Sequence, residues 1–183
     1  MNTTIKPCSE TIHAINDGFS YCIRPIAKND REKLIGLFNQ ISPENRYLRF
    51  AHAISKLPDE FLQDVLELDY EMEMALVACL QEDDQNGAII GIARYISDEK
   101  GNTCEFSISV SDQYSAHGVG VNLMGRLIEY AKQNKLQKMI GYILSSNVKM
   151  LRMARDLGFQ IDNLLNESEF KIATLDLQKH QPE

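Results

Sequence analysis

The spacing of hydrophobic residues changes period several times along the chain, and each change marks an element. In 104–110, Cys104, Phe106, Ile108 and Val110 alternate with Glu105, Ser107 and Ser109, the two-residue period of a strand with one apolar and one polar face. Further on the period lengthens, and Leu123, Met124, Leu127, Ile128 and Ala131 recur at helical spacing. Gly118 and Gly120 lie between the two, so the pattern predicts a strand, a glycine turn and an amphipathic helix in succession. A similar unit follows, with a strand at 138–144 leading through Ser145 and Ser146 to Asn147 and a helix closing at Leu157, Gly158 and Phe159.

The upstream half reads in the same way. Residues 21–26 form a first strand, and Asn29 followed by Glu32 resembles a capping box for a helix that turns Leu34, Ile35, Leu37, Phe38 and Ile41 inward. Ser42 then Pro43, an N-cap and a first-turn proline, open a short helix carrying Arg46, Tyr47, Arg49 and Phe50. Residues 57–68 look helical. The apolar runs 74–80 and 88–96 form a hairpin across the polar turn EDDQNG, so three or four antiparallel strands precede the glycine turn. A last strand spans 169–177, residues 1–18 are expected to form a loosely held arm, and 178–183 a polar tail.

Composition narrows the class. A chain of 183 residues, 44% of them hydrophobic, can bury one sizeable core, and no linker or repeat divides 19–177. The formal charge of −7 argues against a nucleic-acid surface and suits a cationic partner. The acidic run 59–73 reads either as a solvated face or as an attractor for a lysine-bearing substrate. Cys8, Cys22, Cys79 and Cys104 lack metal-ligand spacing, so no metal is expected; for the three in apolar or strand-like contexts a buried thiol is the ordinary explanation, and a reduced cytoplasmic protein is expected. Neither a signal peptide nor a run of about 20 apolar residues is present, so no membrane role is expected.

The glycine turn is where chemistry is suggested. Unpaired N–H groups at a helix N-terminus, with the positive end of the helix dipole, favour a phosphate or pyrophosphate. A lone Gly-x-Gly before a helix equally serves only to turn the chain. A dinucleotide-binding reading would need a third glycine and an acidic residue about 20 positions on, which do not line up here. His117 in the turn reads equally as an extra phosphate contact and as an exposed loop histidine.

The two strand-turn-helix units together resemble the Gcn5-related N-acetyltransferase superfamily, whose pattern is a strand, a Gln/Arg-x-x-Gly-x-Gly/Ala turn, a helix, a strand, then Asn and a helix ending in Gly-Phe. The resemblance covers most of the chain. The segments ISPENRYLRF, Cys104-Glu105-Phe106 and Asn147-Val148-Lys149-Met150-Leu151 are similar to motifs of the bacterial protein-lysine acetyltransferases within that superfamily. It implies an α/β acyl-CoA N-acyltransferase fold: a mixed, mostly antiparallel sheet flanked by helices and splayed between the Glu105 strand and the 138–144 strand to admit acetyl-CoA.

The resemblance also implies roles. The turn Ser115, Ala116, His117, Gly118, Val119, Gly120 and Val121 would hold the pyrophosphate, although the family usually has Gln or Arg at Ser115 and commonly Gly at Ala116. Ile108, Ser109 and Val110 fall where a strand N–H stabilises the oxyanion, and Asn147 and Met150 fall beside the pantetheine arm. An N-cap role for Asn147 is the plainer reading, and both can hold. Glu105 would be the general base, against the plainer reading of an exposed strand carboxylate. The family's thiolate-protonating tyrosine, seven residues after the asparagine, is replaced by Ala154; Tyr114, Tyr142 and Ser145 are weak substitutes. Arg46 and Arg49 flank the acceptor groove, one of them expected only to tie its helix down.

The reading is therefore of a monomeric or homodimeric acetyltransferase domain that moves an acetyl group to a protein lysine. Alternatives are a small-molecule amine as acceptor, or a module that holds CoA without chemistry. Subgroup members often carry a large CoA-synthetase-like or nucleotide-sensing domain; a chain this long leaves no room for one, so no regulation in cis is expected.

Overall fold

The computed structural model describes residues 11–14, 19–51, 53–81, 87–164 and 167–179. In chain order the strands are β1 (Thr11–Ala14), β2 (Ser20–Pro25), β3 (Glu73–Leu80), β4 (Ile89–Ser97), β5 (Thr103–Val110), β6 (Lys138–Leu144), β7 (Gln160–Leu164) and β8 (Glu167–Asp176). The helices are α1 (Arg31–Asn39), α2 (Pro43–Phe50), α3 (Asp59–Leu66), α4 (Val119–Gln133) and α5 (Val148–Asp156). The eight strands form one sheet in the order β1-β2-β3-β4-β5-β6-β8-β7. All neighbours are antiparallel except β5 and β6. The mixed, mostly antiparallel α/β sheet agrees with the expected fold.

Each face of the sheet has its own core. Tyr21, Ile23, Met74, Leu76, Ala93, Tyr95 and Phe106 pack against Leu123, Met124, Leu127 and Ile128 of α4 and Leu151 and Ala154 of α5. Cys22, Ala75, Val77, Cys79 and Ile89 pack on the other face against Leu34, Leu37 and Phe38 of α1 and Leu62 and Val65 of α3. β3 is buried along nearly all its length because helices cover both its faces. Two side-chain amides fix α4 on the sheet: Asn122 Nδ2 donates to Tyr21 Oη and Asn134 Nδ2 to Tyr95 Oη, both at 2.7 Å.

Several expectations need correction. The arm expected over 1–18 contains β1, which pairs with β2 through Thr11↔Ile23 to Ala14↔Ser20, so four residues of it extend the sheet. Five strands precede the glycine turn rather than three or four, and β7, which went unread, pairs along the edge of β8. No Asn29–Glu32 capping box opens α1. Instead Asp30, at the end of the 3-10 turn Lys28–Asp30, accepts the Ala27 N–H at 2.8 Å and two bonds from the Arg24 guanidinium at 2.7 and 2.8 Å. Ser42 does cap α2, its hydroxyl accepting from Asn45 N–H at 3.3 Å. Most of the EDDQNG turn, Cys8, residues 1–10 and residues 180–183 lie outside the described residues.

Burial pushes the Cys79 thiol up to about 11 and the Cys104 thiol up to about 12, so both stay protonated and unreactive at neutral pH. Among the described residues no group of His, Cys, Asp or Glu has the arrangement of a metal site, and no helix is long and apolar enough to cross a membrane.

Candidate active site

The parallel junction of β5 and β6 is short. Thr103↔Lys138, Cys104↔Met139 and Glu105↔Ile140 are in register, and beyond Glu105 the strands run on to Val110 and Leu144 unpaired with each other. A ring marks the parting point. A Cβ placed on Gly141 would lie 2.4 Å from the Phe106 ring, so only glycine there lets that ring cross β6 to meet Phe159 edge-on, with centroids 5.2 Å apart. The sheet opens from this point.

The register also shows which strand N–H groups face the opening. Asp98 N–H donates to Thr103 O and Ser111 N–H to Ile90 O, both at 2.8 Å, at the two ends of the β4–β5 ladder. Bonded and non-bonded pairs alternate in an antiparallel ladder, so Glu105, Ser107 and Ser109 exchange bonds with β4. The N–H groups of Phe106, Ile108 and Val110 therefore point to the opposite edge; that of Phe106 serves the last pairing with β6, at Glu105↔Ile140, and those of Ile108 and Val110 lie beyond it, where β6 has parted. Of the three residues expected to supply a strand N–H, Ile108 and Val110 are suitably placed; the Ser109 N–H is turned toward β4.

The glycine turn stands beside this edge. Gly118 caps α4 with φ of 77°, a left-handed conformation that favours glycine. No side chain caps the helix, and its first internal bond is from Asn122 N–H to Gly118 O. The N–H groups of Val119, Gly120 and Val121 come before that bond and have no partner within the helix, with Val119 itself buried. A Cβ on Gly120 would lie within 3.7 Å of Ile108 and Val110 on β5 and 3.2 Å from Met153 on α5, so this turn, the open edge and α5 meet at one point. Two expected donors are already used: Ser115 N–H bonds Asp112 O at 3.4 Å and His117 N–H bonds Tyr114 O at 3.2 Å. Ala116 and His117 sit on the exposed side of the turn.

Asn147 caps α5, accepting Met150 N–H at 3.1 Å, so the plainer of its two readings holds. Met150 is half-buried against the core beside it. Ala154 is buried, and Tyr114 is buried under the turn. Tyr142 is 48% exposed, on the Glu105 face.

Glu105 is the last β5 residue paired with β6, and its side chain is exposed at the mouth of the opening. It stands between Ile96 on β4 and Ile140 on β6, both on the same face of the sheet. The SPEN segment is held nearby: Asp112, just past β5, accepts Ser42 N–H at 3.1 Å and Asn45 Nδ2 at 2.9 Å. α2 then sends its two arginines in different directions. Arg46 lies 4.0 Å over the Phe38 ring and donates to Phe38 O at 3.2 Å, tying α2 to α1. Arg49 turns into a narrow cleft over the sheet with Phe61, Val65, Ile92, Arg94, Ser107 and Ser109. Arg94, Gly141 and the Asp112–Asn45 contact were not singled out from the sequence; only the ISPEN motif hinted at the last.

A sheet parted at its one parallel junction, with free strand amides facing an uncapped helix N-terminus, is the architecture of the N-acetyltransferases. The chain belongs to the acetyltransferase (GNAT) family, whose model matches residues 41–159. It is 30% identical over 148 residues to an acetyltransferase of Pseudomonas aeruginosa, a match covering 81% of this chain and 79% of that one. It is 27% identical over 145 residues to the acetyltransferase Pat of Mycolicibacterium smegmatis, of which the match covers 42% and which takes in 79% of this chain. Among solved structures, the GNAT domain of S. lividans PAT superposes with a TM-score of 0.81 at 22% identity, covering 91% of this chain and 96% of that domain. The yncA protein of Salmonella typhimurium, solved with its cofactor acetyl-CoA, superposes with a TM-score of 0.66 at 22% identity, covering 89% of this chain and 97% of that one. The chain is thus an N-acetyltransferase of the GNAT family.

Proposed function

We propose that the protein transfers the acetyl group of acetyl-CoA to the side-chain amine of a protein lysine in the cytoplasm, with Glu105 as general base. The observation that carries this reading is the position of Glu105, an exposed carboxylate at the point where β5 and β6 part. Acetyl-CoA supplies the thioester. The N–H groups of Val119, Gly120 and Val121 suit its pyrophosphate, and the edge N–H groups of Ile108 and Val110 suit an arm lying along β5, where one of them can also stabilise the oxyanion.

A lysine ammonium with an ordinary pKa of about 10.4 must lose a proton before it can attack. Glu105 accepts that proton, directly or through a water, as the amine nitrogen bonds the carbonyl carbon; collapse of the tetrahedral intermediate then breaks the carbon–sulfur bond. Ile96 and Ile140 on either side of Glu105 give the aliphatic stem of a lysine an apolar surface. With Ala154 in place of a tyrosine, the departing thiolate takes its proton from water.

The test is initial-rate transfer to lysine-bearing proteins and small amines by the wild type and Glu105→Gln. The variant should lose about 10²-fold or more in kcat at neutral pH while keeping its affinity for acetyl-CoA. The deficit should narrow as pH rises and more of the amine is already neutral. An equal loss of affinity and rate would make Glu105 structural, and transfer to small amines alone would remove the protein-lysine acceptor.

A further inference from the structure

The cleft beside Glu105 holds two arginines, Arg49 and Arg94, to which the reaction itself assigns no task. Successive rows of one sheet face carry Val77, Ile92 and Ser109, then Ala75, Arg94 and Ser107, then Glu73, Ile96 and Glu105. α3 covers the first rows with Phe61 and Val65, and Arg49 enters from α2. Arg94 Nη2 bonds Glu73 Oε2 at 2.5 Å, while its Nε is buried without a partner among the described residues. Arg49 stacks on Phe50 with its guanidinium carbon 5.0 Å from the ring centre, and no ion pair engages it among the described residues.

Burial is the largest influence on Arg49 and pulls its pKa down to about 10; the Glu105 charge acts against this and Arg94 reinforces it. A half-buried guanidinium without a bonded acid is held at a cost that a ligand carboxylate would relieve. When an incoming ammonium takes Glu105, the anion whose charge favours the Arg49 guanidinium is engaged elsewhere, and Arg49 gains from another. The serine hydroxyls of Ser107 and Ser109 add donors to the same floor.

We propose that Arg49, with Arg94 and Ser107 beneath it, binds a carboxylate that the acceptor carries next to its reacting amine. Two sources share this chemistry: an acidic side chain adjacent to a target lysine, or the carboxylate of a small amino acid. A planar guanidinium fork suits either, because it can hold both carboxylate oxygens at once. The inference rests on the reading of Glu105 as the base to which the amine is delivered, and it adds to the lysine reading a selectivity for the residue beside that lysine. Arg46 takes no part, being stacked and bonded on Phe38.

Acceptors that differ only in the carboxylate test this. One set is lysine peptides with Asp, Ala or Lys beside the target; the other is free lysine against its decarboxylated form, cadaverine. The wild type should prefer the carboxylate-bearing member of at least one set by about 10-fold or more in kcat/KM, mostly through KM. Arg49→Gln should bring that ratio close to one, and Arg49→Glu should turn the peptide preference toward the lysine neighbour. Retained stabilisation by acetyl-CoA shows that each variant is folded; if one is not, the wild-type ratios still decide. Equal use of both members in both sets, or an equal loss on both members in Arg49→Gln, would overturn the proposal. A preference confined to free lysine, with every peptide unreactive, would support the carboxylate site and refute the protein-lysine reading.

Discussion

Asp112 joins the end of β5 to the start of α2 and so fixes the distance between the base and the helix beside it. Burial alone would raise its carboxyl, but bonds from Asn45 and Ser42 and the nearby Lys149 charge together hold it below the usual carboxylate range. Such a group adds stability above its unfolded pKa of about 3.9 and gives it up as pH falls through the lower folded value. Asp112→Ala should therefore cost about 1–3 kcal/mol in denaturant unfolding at pH 7. The gap between variant and wild type should close as the pH is lowered below 4, and a gap independent of pH would show that the carboxylate charge is not what holds α2. At this scale the sequence was informative where one motif places one residue, as with Glu105 on an alternating strand or Asn147 before a helix. It was silent on Arg94, Gly141 and the acidic partner of Ser42, because each contact joins residues far apart along the chain, Arg94 with Glu73, Gly141 with Phe106 and Ser42 with Asp112, and such distances carry no local period.

The glycine turn and the parted strands act as elements rather than as single residues. The space around an added Gly118 Cβ is open, so the cost of substitution there lies in the backbone, with φ at 77°. Gly118→Ala should lose about 1 kcal/mol of stability yet still be stabilised by acetyl-CoA. Gly118→Glu adds a negative side chain beside the free N–H groups and should abolish that stabilisation in a folded protein; an undiminished rise in Tm would place the cofactor elsewhere. Strong periods made β3, β4, β5, α4 and α5 readable. The two edge strands were missed for a physical reason: β1 and β7 are four and five residues long, too short to show a period. The capping box failed because the Asp30 carboxylate, held by Arg24 and the Ala27 N–H, closes the 3-10 turn Lys28–Asp30, so α1 starts at Arg31, one residue later than expected.

At the scale of the whole molecule, the core under α4 and α5 holds one face of β5 through Cys104, Phe106, Ile108 and Val110, while the outer edge of the strand is left open beyond Glu105. α4 and α5 are fixed on one face and α1 to α3 on the other. The family resemblance supplied the splay before the structure did, but not its cause, the Phe106 ring seated over Gly141. The central claim is that acetyl-CoA enters this opening and is met by backbone N–H groups that the β4–β5 register leaves free. Backbone amide chemical shifts recorded during an acetyl-CoA titration test it most directly. The largest changes should fall on Ile108, Val110, Val119, Gly120 and Val121, with Ser107 and Ser109, already bonded to β4, moving much less. Changes centred instead on the α1–α3 surface around Lys28, Arg31 and Glu67, with the β5 edge unmoved, would contradict the account.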